Sequence, residues 1–206
     1  LHNRLRHRHG KSSIRMAPQP PVCDFGWPAI DAELPGVDGK MHNIFECRGP
    51  NGLLVAFICN HCPYVKHVAP ELARIGRDYG ATVGIVAIQS NDTDAYPDDG
   101  PDKMREEVEQ RGYTFPYVLD SDQSVAKAYT AACTPDFFLF NRYHKLVYRG
   151  QLDDTRPHRV SSGNYDARDG EAHGADLRAA LDAVIAQEAV AEEQLPSMGC
   201  NIKWRD

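Results

Sequence analysis

Cys59 and Cys62 are the only cysteines among six that lie close together in the chain. Two thiols at that spacing can do what a single thiol cannot. One thiolate attacks a disulfide, and the other attacks the mixed disulfide that results and releases the product. Asn60 and His61 lie between them and Pro63 follows. A protonated His61 would place positive charge beside a thiolate and lower its proton affinity. The flanking residues show how such a pair would be held. Residues 53–59 form an unbroken apolar run of strand length. From residue 62 to 79, Val65, Val68, Ala69, Leu72 and Ile75 recur at helical steps, and Gly80 is placed to end the helix. The thiols therefore sit in a sharp strand-to-helix turn. Unpaired N–H groups and the positive end of the helix dipole stabilise a thiolate there.

The rest of the chain continues the alternation. Residues 34–44 carry Asp38-Gly39, a hairpin pair. Residues 82–89 read as a second buried strand, followed by a polar loop over 90–100 and a helix over 101–111, which implies a parallel crossover. A short strand and helix are expected over 117–120 and 124–131. Residues 137–140 and 145–149 form a hairpin, 150–174 a loop rich in Gly, Asp and Arg, and Leu177, Leu181, Val184 and Ile185 mark one face of a last helix. The order is β-α-β-α-β-α-β-β-α.

Composition narrows the classes of function. The chain has 206 residues with 23 Lys and Arg against 29 Asp and Glu, a length that suits one domain. Its longest apolar run falls far short of the roughly 20 residues of a membrane helix, so no membrane association is expected. An acidic chain would repel phosphate, so nucleic acid is not an expected partner. Arg4, Arg6, Arg8, Lys11 and Arg15 have no acid among them, and Pro18, Pro20 and Pro21 follow. Residues 1–21 are accordingly expected to be a disordered basic leader and linker, 22–193 the folded domain and 194–206 a tail bearing Cys200. The leader lacks a secretory hydrophobic run. A cytoplasmic location is expected, or an organellar one if the leader is a targeting segment; Met16 offers an alternative start.

Cys59-Asn60-His61-Cys62-Pro63-Tyr64 after an apolar strand, Thr134-Pro135 before a later one, and the turn Pro35-Gly36-Val37-Asp38-Gly39-Lys40 resemble the thioredoxin-like superfamily. More narrowly, they are similar to its redoxin branch of alkyl hydroperoxide reductase, thiol-specific antioxidant and peroxiredoxin-like proteins. Residues 194–204 resemble the ending of a peroxiredoxin-like subgroup. The resemblance implies an α/β thioredoxin fold, a central mixed sheet flanked by helices, with an N-terminal hairpin. It makes Cys59 the exposed nucleophile and Cys62 the resolving thiol. It makes Thr134-Pro135 a cis-proline loop that lies against the pair and offers backbone groups to an extended substrate. Cys133 and Cys200 become candidate additional redox thiols, with structural burial as their alternative. The implied activity is thiol–disulfide exchange, without a cofactor, between a disulfide or thiol substrate and an external thiol reductant.

The chain also departs from these patterns. Ile58 stands where thioredoxins carry tryptophan, and residues 53–58 hold no ionisable group where thioredoxins bury an acid. Another base, or water, must then take the proton. If Cys62 is aligned with the peroxidatic cysteine of peroxiredoxins, Cys59 replaces the motif threonine and Val55 its proline. Arg149 and Arg156 are the nearest arginines to the position of the activating one. Thiol peroxidase activity is thus the alternative to exchange. A metal-binding chaperone built on Cys59, His61 and Cys62 is a third reading, but no second short-spaced ligand pair completes a tetrahedral site. No metal is expected. Cys23 and Cys47 have no close partner, and Asp92, Asp94, Asp98 and Asp99 are expected to form a solvated loop.

Overall fold

The computed structural model describes residues 25–206. The expectations for the basic leader, the proline linker and Cys23 lie outside the described residues.

Strand β1 (Glu33–Pro35) and strand β2 (Met41–Asn43) form the expected hairpin. Its turn rests on Gly39, whose φ of +80° suits glycine. The first apolar run becomes β3 (Gly52–Phe57), buried at every position. It leads through the dithiol turn into α1 (Pro63–Tyr79). Then come β4 (Val83–Gln89), α2 (Pro101–Arg111), β5 (Tyr117–Leu119), α3 (Ser124–Ala128), β6 (Cys133–Thr134), β7 (Asp136–Asn141) and β8 (Leu146–Tyr148). The chain closes with β9 (His158–Ser161), β10 (Asn164–Asp166), α4 (Ala175–Ala186) and β11 (Cys200–Asn201).

Five strands form one mixed sheet in the order β5-β4-β3-β7-β8. β3 pairs parallel with β4 and antiparallel with β7, which sets Val55 between Val86 and Phe138. Alternation along β3 divides the apolar side chains between two faces. Leu54 and Ala56 pack with Leu72 and Ile75 of α1, Met104 of α2 and Leu181 of α4. Leu53, Val55 and Phe57 pack with Val125 of α3, Tyr129 and Phe140. This is the helix-flanked mixed sheet of a thioredoxin fold.

Two regions hold more pairing than the residue pattern suggested. The loop expected over 150–174 contains the β9–β10 hairpin, whose strands lie mostly exposed and so lack the alternating burial that marks a strand in sequence. Residues 194–206 are stitched to the body. The Gln194 side chain accepts from the Arg149 N–H and donates to the Val147 carbonyl. The Ser197 hydroxyl donates to the Gly150 carbonyl. Ile202 is buried. Among the described residues, no helix is long and apolar enough to cross a membrane.

The loop before β7 is fastened by a buried ion pair. Arg149 donates to Asp136 at 3.0 Å and to the Thr130 carbonyl at 2.9 Å, and lies over the Phe138 ring. Asp136 in turn accepts from the Ala132 N–H. Arg149→Met would leave the Asp136 carboxylate buried without its cation, so a loss of about 3–5 kcal/mol is expected in urea unfolding. Arg149→Met with Asp136→Asn should recover part of that loss. A single variant as stable as the wild type would show that the pair does not hold the loop.

Candidate active site

β3 ends at Phe57, and the Ile58 N–H still donates to the Ile88 carbonyl. The chain then turns through Asn60 and His61. Cys62 is the N-cap of α1 in extended conformation, with Pro63 as the first helical residue, where a missing N–H costs nothing. The turn faces the segment before β7, whose Thr134-Pro135 bond is cis, as the resemblance implied. Cys59 Sγ lies 3.3 Å from the Thr134 hydroxyl, and the Cys62 thiol donates to the Thr134 carbonyl at 3.3 Å. The fold thus brings Cys59, Cys62, Thr134 and Pro135 together at the adjoining ends of the neighbouring strands β3 and β7. Both sulfurs are enclosed, Cys59 at 1% exposure and Cys62 at 0%. The resemblance placed Cys59 at the surface; here Thr134 covers it from one side.

Asp99 is the residue that the sequence reading missed. The acidic pattern groups it with Asp92, Asp94 and Asp98 in a solvated loop, but it is fully buried. A tight turn over Pro97–Asp99, between Pro97 and Pro101, aims its carboxylate inward. One oxygen accepts the N–H of Asn60 at 2.8 Å and that of His61 at 3.2 Å. The other pairs with His61 Nδ1 at 2.5 Å and accepts from the Asn91 amide. The Asn60 side chain donates to the Asp98 carbonyl and accepts from the Tyr117 hydroxyl. His61 stacks on Tyr96. Every residue between the two cysteines is therefore held by the 96–99 turn. This is also the buried acid that residues 53–58 lack, supplied from another element. The flanking prolines were the available signal, since they force a tight turn.

The two thiols have opposite environments. Cys59 is pushed well up by the neighbouring Cys62 thiol, by burial and by the charge of Asp99. Cys62 is pulled down, first by the Cys200 thiol and then by the Cys59 thiol, against burial, with help from the N–H groups of Val65 and Cys200. Of the two sulfurs, the lower proton affinity lies at Cys62. The cause is position. Cys62 lies at the helix start among other thiols, whereas Cys59 lies near a carboxylate.

Cys133 is buried, with its thiol donating to the Pro135 carbonyl, and burial pushes its proton affinity up. Cys47 lies in the turn Phe45–Cys47, beside the other core. Arg149 is committed to Asp136 and Thr130. Arg156 donates to the carbonyls of Asp153 and Thr155. Neither arginine has a cysteine among its hydrogen-bond partners. Donor atoms of Cys59, His61 and Asp99 lie within 4.8 Å of one another, so the third member of any metal set is Asp99 rather than Cys62. Its oxygens, however, already carry four hydrogen bonds. Outside the dithiol, His61, Pro63, Lys66, His67, Pro157 and Tyr165 line a cavity of about 500 Å³ between α1 and the β9–β10 hairpin.

Sheet, helix-start dithiol and cis-proline loop together define a thioredoxin-fold redox protein. The model of the AhpC/TSA family matches residues 25–149, and the chain belongs to that family. The structure superposes on a hypothetical protein from Sinorhizobium meliloti 1021 with a TM-score of 0.83 and 45% identity, covering 91% of this chain and 98% of that one. An uncharacterized conserved protein from Geobacillus kaustophilus gives a TM-score of 0.84 and 44% identity, covering 92% and 96%. The chain is also 24% identical over 123 residues to the thiol-disulfide oxidoreductase ResA of Halalkalibacterium halodurans, a match covering 59% of this chain and 65% of that protein.

Burial alone would raise the Asp99 carboxyl, but hydrogen bonds from His61, Asn91 and the Asn60 N–H outweigh it and hold it below the usual 3.8. A carboxyl with lowered proton affinity in the folded state stabilises that state above its unfolded pKa, and the gain is lost as pH falls through the folded value. Asp99→Asn should therefore cost about 2–4 kcal/mol in urea unfolding at pH 7, the scale of losing bonds to a buried charge. The gap to wild type should narrow below about pH 4. A gap that is constant from pH 7 to pH 3 would show that the Asp99 charge does not hold the turn.

Proposed function

We propose that the protein is a thiol–disulfide oxidoreductase that uses Cys59 and Cys62 on disulfide or thiol substrates, with an external thiol as reductant. The observation that carries this is the convergence of both sulfurs on Thr134, in the loop with the cis Thr134-Pro135 bond. The Cys62 thiolate attacks the substrate disulfide, and one substrate thiol leaves with a proton. Cys59 then gives up its proton toward the Asp99–His61 pair and attacks Cys62, releasing the second thiol and leaving a Cys59–Cys62 disulfide. His61 orients against Asp99, and Asn60 and Pro63 fix the turn. The external thiol reverses the sequence and restores the dithiol. A reducing compartment such as the cytoplasm would keep the pair ready to reduce disulfides.

The peroxidase alternative is less well supported. A peroxidatic site needs donors around the peroxide, and both arginines considered for that task are bonded elsewhere. Val55 and Cys59 stand at the two motif positions.

The test is turnover of a small aromatic disulfide with glutathione as reductant, run beside consumption of hydrogen peroxide. Cys62→Ser is expected to reduce disulfide turnover to background. Cys59→Ser combined with Cys200→Ser, which leaves no thiol neighbour to resolve it, should leave a trapped mixed disulfide on Cys62. Rapid peroxide consumption through a sulfenic acid on Cys62, with no disulfide turnover, would replace this proposal with the peroxidase.

A further inference from the structure

Cys200 packs against the core cluster that holds Cys59 and Cys62. β11 pairs antiparallel with β6, setting Cys200 opposite Thr134 and Asn201 opposite Cys133. Thr134 is the same residue whose carbonyl accepts from Cys62 and whose hydroxyl touches Cys59. The chain's own ending thus adds a strand along the edge that a substrate strand would use, the pattern of β-augmentation.

Three features show that this contact is built into the fold. A Cβ on Gly199 would come within 2.1 Å of the Thr134 carbonyl oxygen, so only glycine permits so close an approach. Ser197 and Ile202, on either side, are buried. Beyond them, the Lys203 N–H donates to the Asn91 side chain, and the Lys203 carbonyl accepts from the Asp92 N–H and the Gln123 amide. The cysteines also form a gradient of access. Cys59 and Cys62 are enclosed, whereas Cys200 is half-buried and the outermost of the three.

We infer that residues 199–201 occupy the substrate-strand position as a built-in substrate, and that Cys200 forms an internal disulfide with Cys62. This rests on the exchange reading and adds a second resolving partner to it. Opening the two-residue β11 pairing admits an external disulfide to Cys62. The Cys62 thiolate attacks it, its S–S bond breaks, and one thiol leaves with a proton. Reclosure brings Cys200 to the mixed disulfide. Its sulfur attacks Cys62, its proton passes to the departing second thiolate, and a Cys62–Cys200 disulfide remains. Two electrons pass from the two cysteines to the external disulfide, which ends as two thiols. Oxidation is thereby carried from the enclosed pair to a sulfur nearer the surface.

The test is disulfide mapping by mass spectrometry of the full chain, after oxidation with glutathione disulfide and blocking of free thiols. Wild type and Cys59→Ser are both expected to yield a Cys62–Cys200 linked peptide. Cys200→Ser should lose that peptide and give Cys59–Cys62 instead. Finding only Cys59–Cys62 in wild type, with Cys200 always blocked as a free thiol and no linkage in Cys59→Ser, would overturn the inference and leave the exchange reading standing. Finding no protein disulfide in any variant would overturn both.

Discussion

A thiolate enclosed in protein has lost its water and must be solvated by fixed groups. That requirement at Cys62 organises the site. A strand buried on both faces delivers the chain to the end of the sheet, and the following helix begins at Cys62, where the positive end of the helix dipole favours a thiolate. A thiol on each side completes its surroundings, Cys59 from within the turn and Cys200 from the C-terminal strand. Each of these groups belongs to a different segment. The site therefore exists only when the sheet, α1 and the chain's ending are assembled.

Asp99 meets a related constraint with the opposite sign. A buried carboxylate beside Cys59 disfavours negative charge there, yet the same carboxylate binds two N–H groups and the imidazole of the turn. One residue thus fixes the shape of the dithiol turn and helps to disfavour charge on Cys59. A neutral residue at 99 could satisfy some of the hydrogen bonds but would not separate the two thiols electrostatically. Asn91 and Gln89, at the end of β4, hold Asp99 from behind through its carboxylate and its carbonyl. The acid's position is therefore inherited from the central sheet.

Sequence periodicity revealed what depends on local pattern. The apolar runs that became β3 and β4 and the helical spacing after Cys62 were legible because burial of those elements repeats along the chain. The dithiol's place at the turn followed from them, and Thr134-Pro135 came from resemblance. Asp99 was not legible because an acidic run reads as solvated; nothing local shows that one carboxylate of four turns inward. The partnership of β11 with β6 was invisible for a related reason. Each strand has two residues, too few for any period, and their pairing is set by the anchors at Ser197, Ile202 and Lys203. The β9–β10 hairpin is exposed and so leaves no apolar alternation to find.

The arrangement also bears on redox direction. Hydrogen bonds that stabilise the Cys62 thiolate favour the reduced dithiol over its disulfide, because a disulfide sulfur carries no charge for them to solvate. The Cys200 thiol, brought opposite Thr134 by β11, is among the groups that lower the proton affinity of Cys62. The strand that fills the substrate edge thus also helps to set the oxidising strength of the pair. A substrate strand that displaced β11 would remove the Cys200 donor while bringing its own sulfur into place. Cys62 would then be more basic and more nucleophilic at the moment the target sulfur arrives. Occupancy of the Thr134 edge and reactivity of Cys62 are therefore coupled through one short strand.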